Sequence, residues 1–131
     1  MIPAPYIITA AAAFIVGVLS NATANSGTPK ANEFWVRIRT NQYGKNKLVF
    51  YSYNDARKMY QQLSNAKSIS YEKIAQYDPN EKELYAKWQK SGKIGQNGYP
   101  NPKQKMTIST IELSIFNGKQ MSEETVEKQS L

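Results

Sequence analysis

The fold turns on residues 34–63, FWVRIRTNQYGKNKLVFYSYNDARKMYQQL. Phe34, Val36 and Ile38 alternate with Trp35, Arg37 and Arg39, the period of a strand with one apolar face. Asn41 to Asn46, around Gly44, has the composition of a turn. Lys47 to Tyr53 returns to aromatic and branched residues, so the two runs predict an antiparallel hairpin. The period then changes. Ala56, Met59, Tyr60 and Leu63 fall at i, i+3, i+4 and i+7, which predicts a helix from about Asp55 to Ser64. Asn54 is its expected N-cap, and its apolar stripe is expected against the hairpin.

Downstream, Lys67 to Tyr77 reads as a short strand followed by a turn of helix. Asp78-Pro79-Asn80-Glu81 is a helix start, with Asp at N-cap, Pro at N1 and Glu at N3 of a capping box. That helix should reach about Ser91 and stop at Gly92, with Leu84, Tyr85 and Trp88 on its apolar side. Gly92 to Lys105 is a long loop. Met106 to Phe116 is strand-like, and its alternation changes phase at Ser109-Thr110, the mark of a bulge or bend. Residues 117–131 are mildly acidic and are expected to be a flexible tail.

Upstream lies a stretch of another kind. Met1 to Ala24 carries no charged side chain, and the first is Lys30. The reading preferred here is a single transmembrane helix, since a span needs about 20 apolar residues. Ala10, Ala13 and Gly17 would form a small-residue face for helix packing in the membrane. Lys30, Arg37 and Arg39 follow it, so the soluble part is expected on the cytoplasmic-equivalent side of an organelle inner, thylakoid or bacterial inner membrane. Ala22-Thr23-Ala24 supports the alternative of a cleaved signal peptide and an exported, secreted or periplasmic, soluble binding protein. Residues 25–33 are a linker, and 34–116 a small basic domain. The expected fold class is thus α+β: a transmembrane helix, then a β-hairpin packed on one or two helices, plus further strand.

Composition narrows the chemistry. The 131 residues include no Cys and no His, which removes disulfides, thiolate or imidazole metal sites and His-assisted nucleophiles. Seventeen Lys and Arg against ten Asp and Glu leave a net charge of +7. Only Arg37, Arg39 and Arg57 are arginines, so the excess reads as general attraction to acidic protein or lipid surfaces. No cofactor, metal ligand set or catalytic group is indicated. Among the carboxylates, Asp78 and Glu81 are accounted for by capping, and Glu112 alone stands on the polar side of an apolar strand. Gly92, Gly95 and Gly98 follow a helix rather than precede one, so they read as loop punctuation and not a phosphate cradle.

Trp35, Arg37 and Arg39 share a strand face, with Tyr51, Tyr53 and Trp88 as companions in a protein-docking surface. Nucleic acid is the disfavoured partner, and a face covered by the Trp88 helix is the alternative. The strand-strand-helix-strand order through LVFYSYNDARKMYQQL resembles the small C-terminal linker domain of phycobilisome rod linkers over about forty residues. Asn65-Ala66 stands where that family carries a glycine pair, and the assignment is not adopted. The expected function is a non-catalytic accessory or linker subunit of a membrane protein complex, a bioenergetic one included. Its partners would be other subunits and membrane lipid.

Overall fold

The computed structural model describes residues 31–131. The chain forms β1 (Glu33–Thr40), β2 (Gly44–Phe50), α1 (Tyr53–Ala66), β3 (Ser68–Ser70), α2 (Tyr71–Tyr77), α3 (Pro79–Lys90), β4 (Lys105–Asn117) and β5 (Ser122–Ser130). All strand pairs are antiparallel, in the order β2-β1-β4, with β4 long enough to pair on its far edge with β3 at one end and β5 at the other. In β1 against β4, Arg39 faces Thr110 and Thr40 faces Ile108, so Ser109 is the extra residue of a bulge. This is the phase change visible in the sequence, and it turns both Ile108 and Ile111 into the core.

The core lies between one sheet face and the helices. Val36, Leu48, Ala56, Ile74, Ile111 and Leu113 are wholly buried there. Burying each of the larger aliphatic side chains stabilises the fold by about 1.5–3 kcal/mol. The residues that α1 buries are Ala56, Met59, Tyr60 and Leu63, the stripe read from the sequence. Its N-cap is Ser52, not Asn54: the Ser52 hydroxyl accepts the Asp55 N–H at 3.3 Å. The helix therefore begins earlier, and β2 ends at Phe50 instead of running to Tyr53. At the other end Lys67 adopts a left-handed backbone (φ 58°), which drops the chain directly into β3.

Asp78 caps α3 as expected, accepting the N–H groups of Asn80 (2.9 Å) and Glu81 (3.3 Å). The reciprocal half of the capping box is not made. The Asp78 N–H is already given to Ile74 O (2.8 Å) at the end of α2, so the Glu81 side chain has no orphan donor to reach for. It accepts the hydroxyls of Tyr43 (2.8 Å) and Tyr71 (2.9 Å) instead.

The expected fold class needs correction. In place of a hairpin on one or two helices plus further strand, a five-stranded antiparallel sheet carries α1 and α2 on one face, and α3 packs on α2 and at the β2 edge. Among the described residues no helix is long and apolar enough to cross a membrane. The stretch read as a transmembrane helix, with Ala10, Ala13 and Gly17, lies outside the described residues. Residues 122–130, read as part of a flexible tail, form β5. Every one of its residues is solvent-exposed, so no apolar pattern announced it. It is held by the backbone ladder to β4 and by Gln129, which donates to Tyr60 Oη (3.0 Å) and Ser64 Oγ (3.1 Å).

Candidate functional site

Alternation puts a second set of side chains on the sheet face away from the core. Strand register sets them in rows across β2, β1, β4 and β5. One row is Val49, Trp35, Ser114 and Thr125; the next is Lys47, Arg37, Glu112 and Lys128; the third is Lys45, Arg39, Thr110 and Ser130. The α1 and α2 stripes pack on the opposite face. The start of α3, Asp78 to Asn80, reaches round the β2 edge. There it closes a groove of ≈ 480 Å³ lined by Arg37, Arg39, Lys45, Asn46, Lys47, Asp78, Asn80, Thr110, Glu112 and Lys128, among others.

Trp35 anchors the face. It is only 7% exposed. Phe116 of β4 stacks on it with ring centres 4.6 Å apart, and Lys47 of β2 sets its ammonium 3.9 Å from the ring centre. The Arg37 guanidinium lies 5.6 Å from the same centre, and the indole N–H donates to Glu33 at 2.8 Å. The indole is thus spent on its own sheet, and no open ring face is left for stacking a base.

Charge on the groove is lopsided. Five cations line it, Arg37, Arg39, Lys45, Lys47 and Lys128, against the carboxylates of Asp78 and Glu112. Asp78 is 5% exposed and its oxygens take four donors: two α3 amides, the Lys47 N–H (3.1 Å) and the Asn46 side-chain amide (3.0 Å). Glu112 Oε2 accepts the hydroxyls of Ser114 (3.1 Å) and Thr125. Burial alone would raise the Glu112 pKa. The two hydroxyls, with Arg37 and Lys128 nearby, outweigh it and hold the pKa below its ordinary value. Arg37 is paired with Glu123 at 3.4 Å, whereas Arg39, Lys45, Lys47 and Lys128 have no salt-bridge partner among the described residues.

The residues named from the sequence do not form one surface. Trp35, Arg37 and Arg39 share the face as expected. Tyr51 is exposed just beyond β2, at the end of the sheet where Phe34 pairs with Phe50 and Glu33 begins β1. Tyr53 belongs to α1, meets Phe34 edge-on at 6.1 Å and accepts a bond from Arg57, on the helical side. Trp88 is half-buried on α3, edge-on to Tyr99 at 5.5 Å and against the core cluster. The Trp88 helix therefore does not cover Trp35. The sequence reading missed Lys45, Lys47 and Lys128. The first two alternate with Val49 and would follow from hairpin register once the turn is known to be Asn41–Tyr43. Lys128 gave no signal, because β5 was not foreseen.

Among the described residues no three His, Cys, Asp or Glu side chains are grouped to hold a metal ion. The Gly92, Gly95 and Gly98 loop consists of tight turns, all three at positive φ. No family model matches the chain, and neither the curated proteins nor the solved structures give a match.

Proposed function

We propose that this is a non-catalytic docking domain, an accessory subunit that binds an acidic protein surface through the open sheet face. One observation carries the reading. Five cations gather on the groove while both of its carboxylates are committed to internal hydrogen bonds. Such a face attracts and orients an acidic partner, and charged complementarity of this kind governs association rate and specificity. Buried Trp35, fixed between Phe116 and Lys47, gives the cations a stiff platform.

The groove also collects Glu112 with the buried Asp78 and Asn46, the kind of gathering an acid/base enzyme uses. A general acid needs a raised pKa. That of Glu112 moves the other way, so Glu112 is not poised as the acid of such a pair. The reading is the same whether Met1–Ala24 is retained or removed in the native protein.

Affinity capture from the native source in mild detergent tests it. The wild-type chain should bring down a defined partner, the Arg39→Glu/Lys45→Glu double variant should lose it, and Lys58→Glu on α1 should keep it. A partner retained equally by all three, or a chain that stays a free monomer, sinks the proposal.

A further inference from the structure

Two Asn-Gly pairs stand in the sequence, Asn97-Gly98 and Asn117-Gly118, and the fold treats them differently. A glycine after asparagine has no Cβ, so its backbone nitrogen is uncrowded and can reach the Cγ of the preceding side chain. Asn97 and Gly98 are the centre of an exposed turn, closed by the Tyr99 N–H on Gln96 O at 2.9 Å. Gly98 has φ 91°, in the region that the third residue of a type II turn takes. A Cβ built on it would meet nothing within 4 Å. Among the described residues neither the Gly98 N–H nor the Asn97 side chain has a hydrogen-bond partner.

At Asn117-Gly118 the same atoms are engaged. Gly118 is buried, and its N–H donates to Asn32 Oδ1 at 3.3 Å. Asn117 Oδ1 accepts the N–H groups of Lys119 (3.0 Å) and Gln120 (3.1 Å), which holds the side chain over the hairpin loop. Ring closure there has to break these bonds first.

We infer that Asn97 is a site of spontaneous intramolecular deamidation and that the fold protects Asn117 from the same reaction. Solvent hydroxide takes the Gly98 N–H proton, and the nitrogen attacks Asn97 Cγ. A bond from Gly98 N to Cγ forms, the Cγ–Nδ2 bond breaks, and ammonia leaves with a proton from water, which restores the hydroxide. Water then opens the five-membered imide at either carbonyl and leaves aspartate or isoaspartate at this position. The net change is amide plus water to acid plus ammonia, with no redox step. A negative charge thereby enters a loop that holds Lys93. The isoaspartyl product also adds one carbon to the main chain, which takes the Tyr99 N–H out of register with Gln96 O. Tyr99 lies edge-on to Trp88 at 5.5 Å and 5.7 Å from the Lys93 ammonium, so the change loosens the packing at the end of α3. The basic groove meets the other end of that helix, and the docking reading neither supports nor needs this site.

The test is peptide mapping of the full chain, in non-ionic detergent where solubility requires it, after incubation at physiological temperature and mildly alkaline pH. Trypsin separates the two sites into Ile94–Lys103 and Met106–Lys119. Mass and fragmentation spectra, read against an unincubated sample, report the amide-to-acid change and the isoaspartate. Asn101 shares the first peptide but precedes Pro102, whose nitrogen has no proton to lose and cannot close the ring. In the folded chain Asn97 is expected to convert at least about tenfold faster than Asn117. In urea the two rates should approach one another, since the dipeptides are the same. Asn32→Ala should speed Asn117 by about fivefold and leave Asn97 unchanged. Equal rates in the folded chain, or an Asn97 that converts only in urea, overturn the inference. An Asn97 product without isoaspartate does so too, because it would mean direct hydrolysis and no ring. An Asn117 rate unmoved by Asn32→Ala would sink the account of its protection.

Discussion

Asp78 and Lys47, thirty-one residues apart, are joined by a hydrogen bond from the Lys47 backbone N–H to Asp78 Oδ2 at 3.1 Å. The same carboxylate caps α3 through its other oxygen. One side chain therefore starts a helix, satisfies an outward-facing amide of strand β2, and fixes the corner where the basic groove closes. The β2 edge is blunted by this contact, since an amide that would recruit another strand is already taken.

Asp78→Ala should destabilise the domain by about 3 kcal/mol. About 1 kcal/mol is the lost N-cap, and the rest is the cost of leaving the Asn46 amide and the Lys47 N–H without an acceptor. Urea unfolding measures the difference. A loss below about 1 kcal/mol would mean that water replaces the carboxylate and that the corner is not held as described.

Alkaline pH should unfold the domain through its tyrosines. Burial first, then the bond to Glu81 and that group's charge, push the Tyr43 pKa up to about 12 from 10.0, and Tyr71 moves in the same direction for the same leading reasons. A raised folded pKa means that the unfolded chain gives up its proton first. This contribution is complete below pH 10 and is lost as pH rises through about 12. Unfolding free energy followed by tyrosinate absorbance should fall across that window, and Tyr43→Phe should flatten the slope. An unchanged slope would show that Glu81 does not hold the hydroxyl.

Glu112 acts at the opposite end of the pH scale. Its folded pKa is lowered below the ordinary 4.5, so its contribution is present above that value and is lost as pH falls through the folded value. Glu112→Gln should cost roughly 1 kcal/mol at neutral pH, from weakened bonds to Ser114 and Thr125, and should make the acid limb of the stability curve shallower. Equal acid limbs for the two proteins would contradict the assignment.

Ending the chain after Asn117 removes β5. This exposes the β4 edge from Thr110 to Asn117 and takes away the Gln129 bonds to Tyr60 and Ser64. The shortened protein should aggregate, because an open, apolar strand edge is a template for pairing. Light scattering during expression and refolding reads the outcome. A soluble, equally stable product would restore the view of these residues as a free tail.

Much of this architecture is local, and local features were legible in the sequence. The period-two run at Phe34–Arg39, the four-residue stripe of α1, the strand-then-helix at Lys67–Tyr77, the Asp78-Pro79 start and the phase shift at Ser109-Thr110 all depend on residues within a turn of one another. Backbone geometry and side-chain direction act over that distance, and so residue order alone determined them. The rest depends on which strand lies beside which. β5 has the composition of a solvated tail and becomes a strand only because β4 is longer than β3 and leaves an edge to pair. Glu81 turns from its expected cap to Tyr43 and Tyr71 because α2 ends where α3 begins. Trp88 and Trp35 part to opposite faces, while Lys45 and Lys47 of β2 and Lys128 of β5 join Arg37 and Arg39 of β1. Sheet order is set by burial summed over the whole core, and no single window of sequence contains that sum. The basic groove is therefore a product of tertiary structure, assembled from residues that carry no common motif.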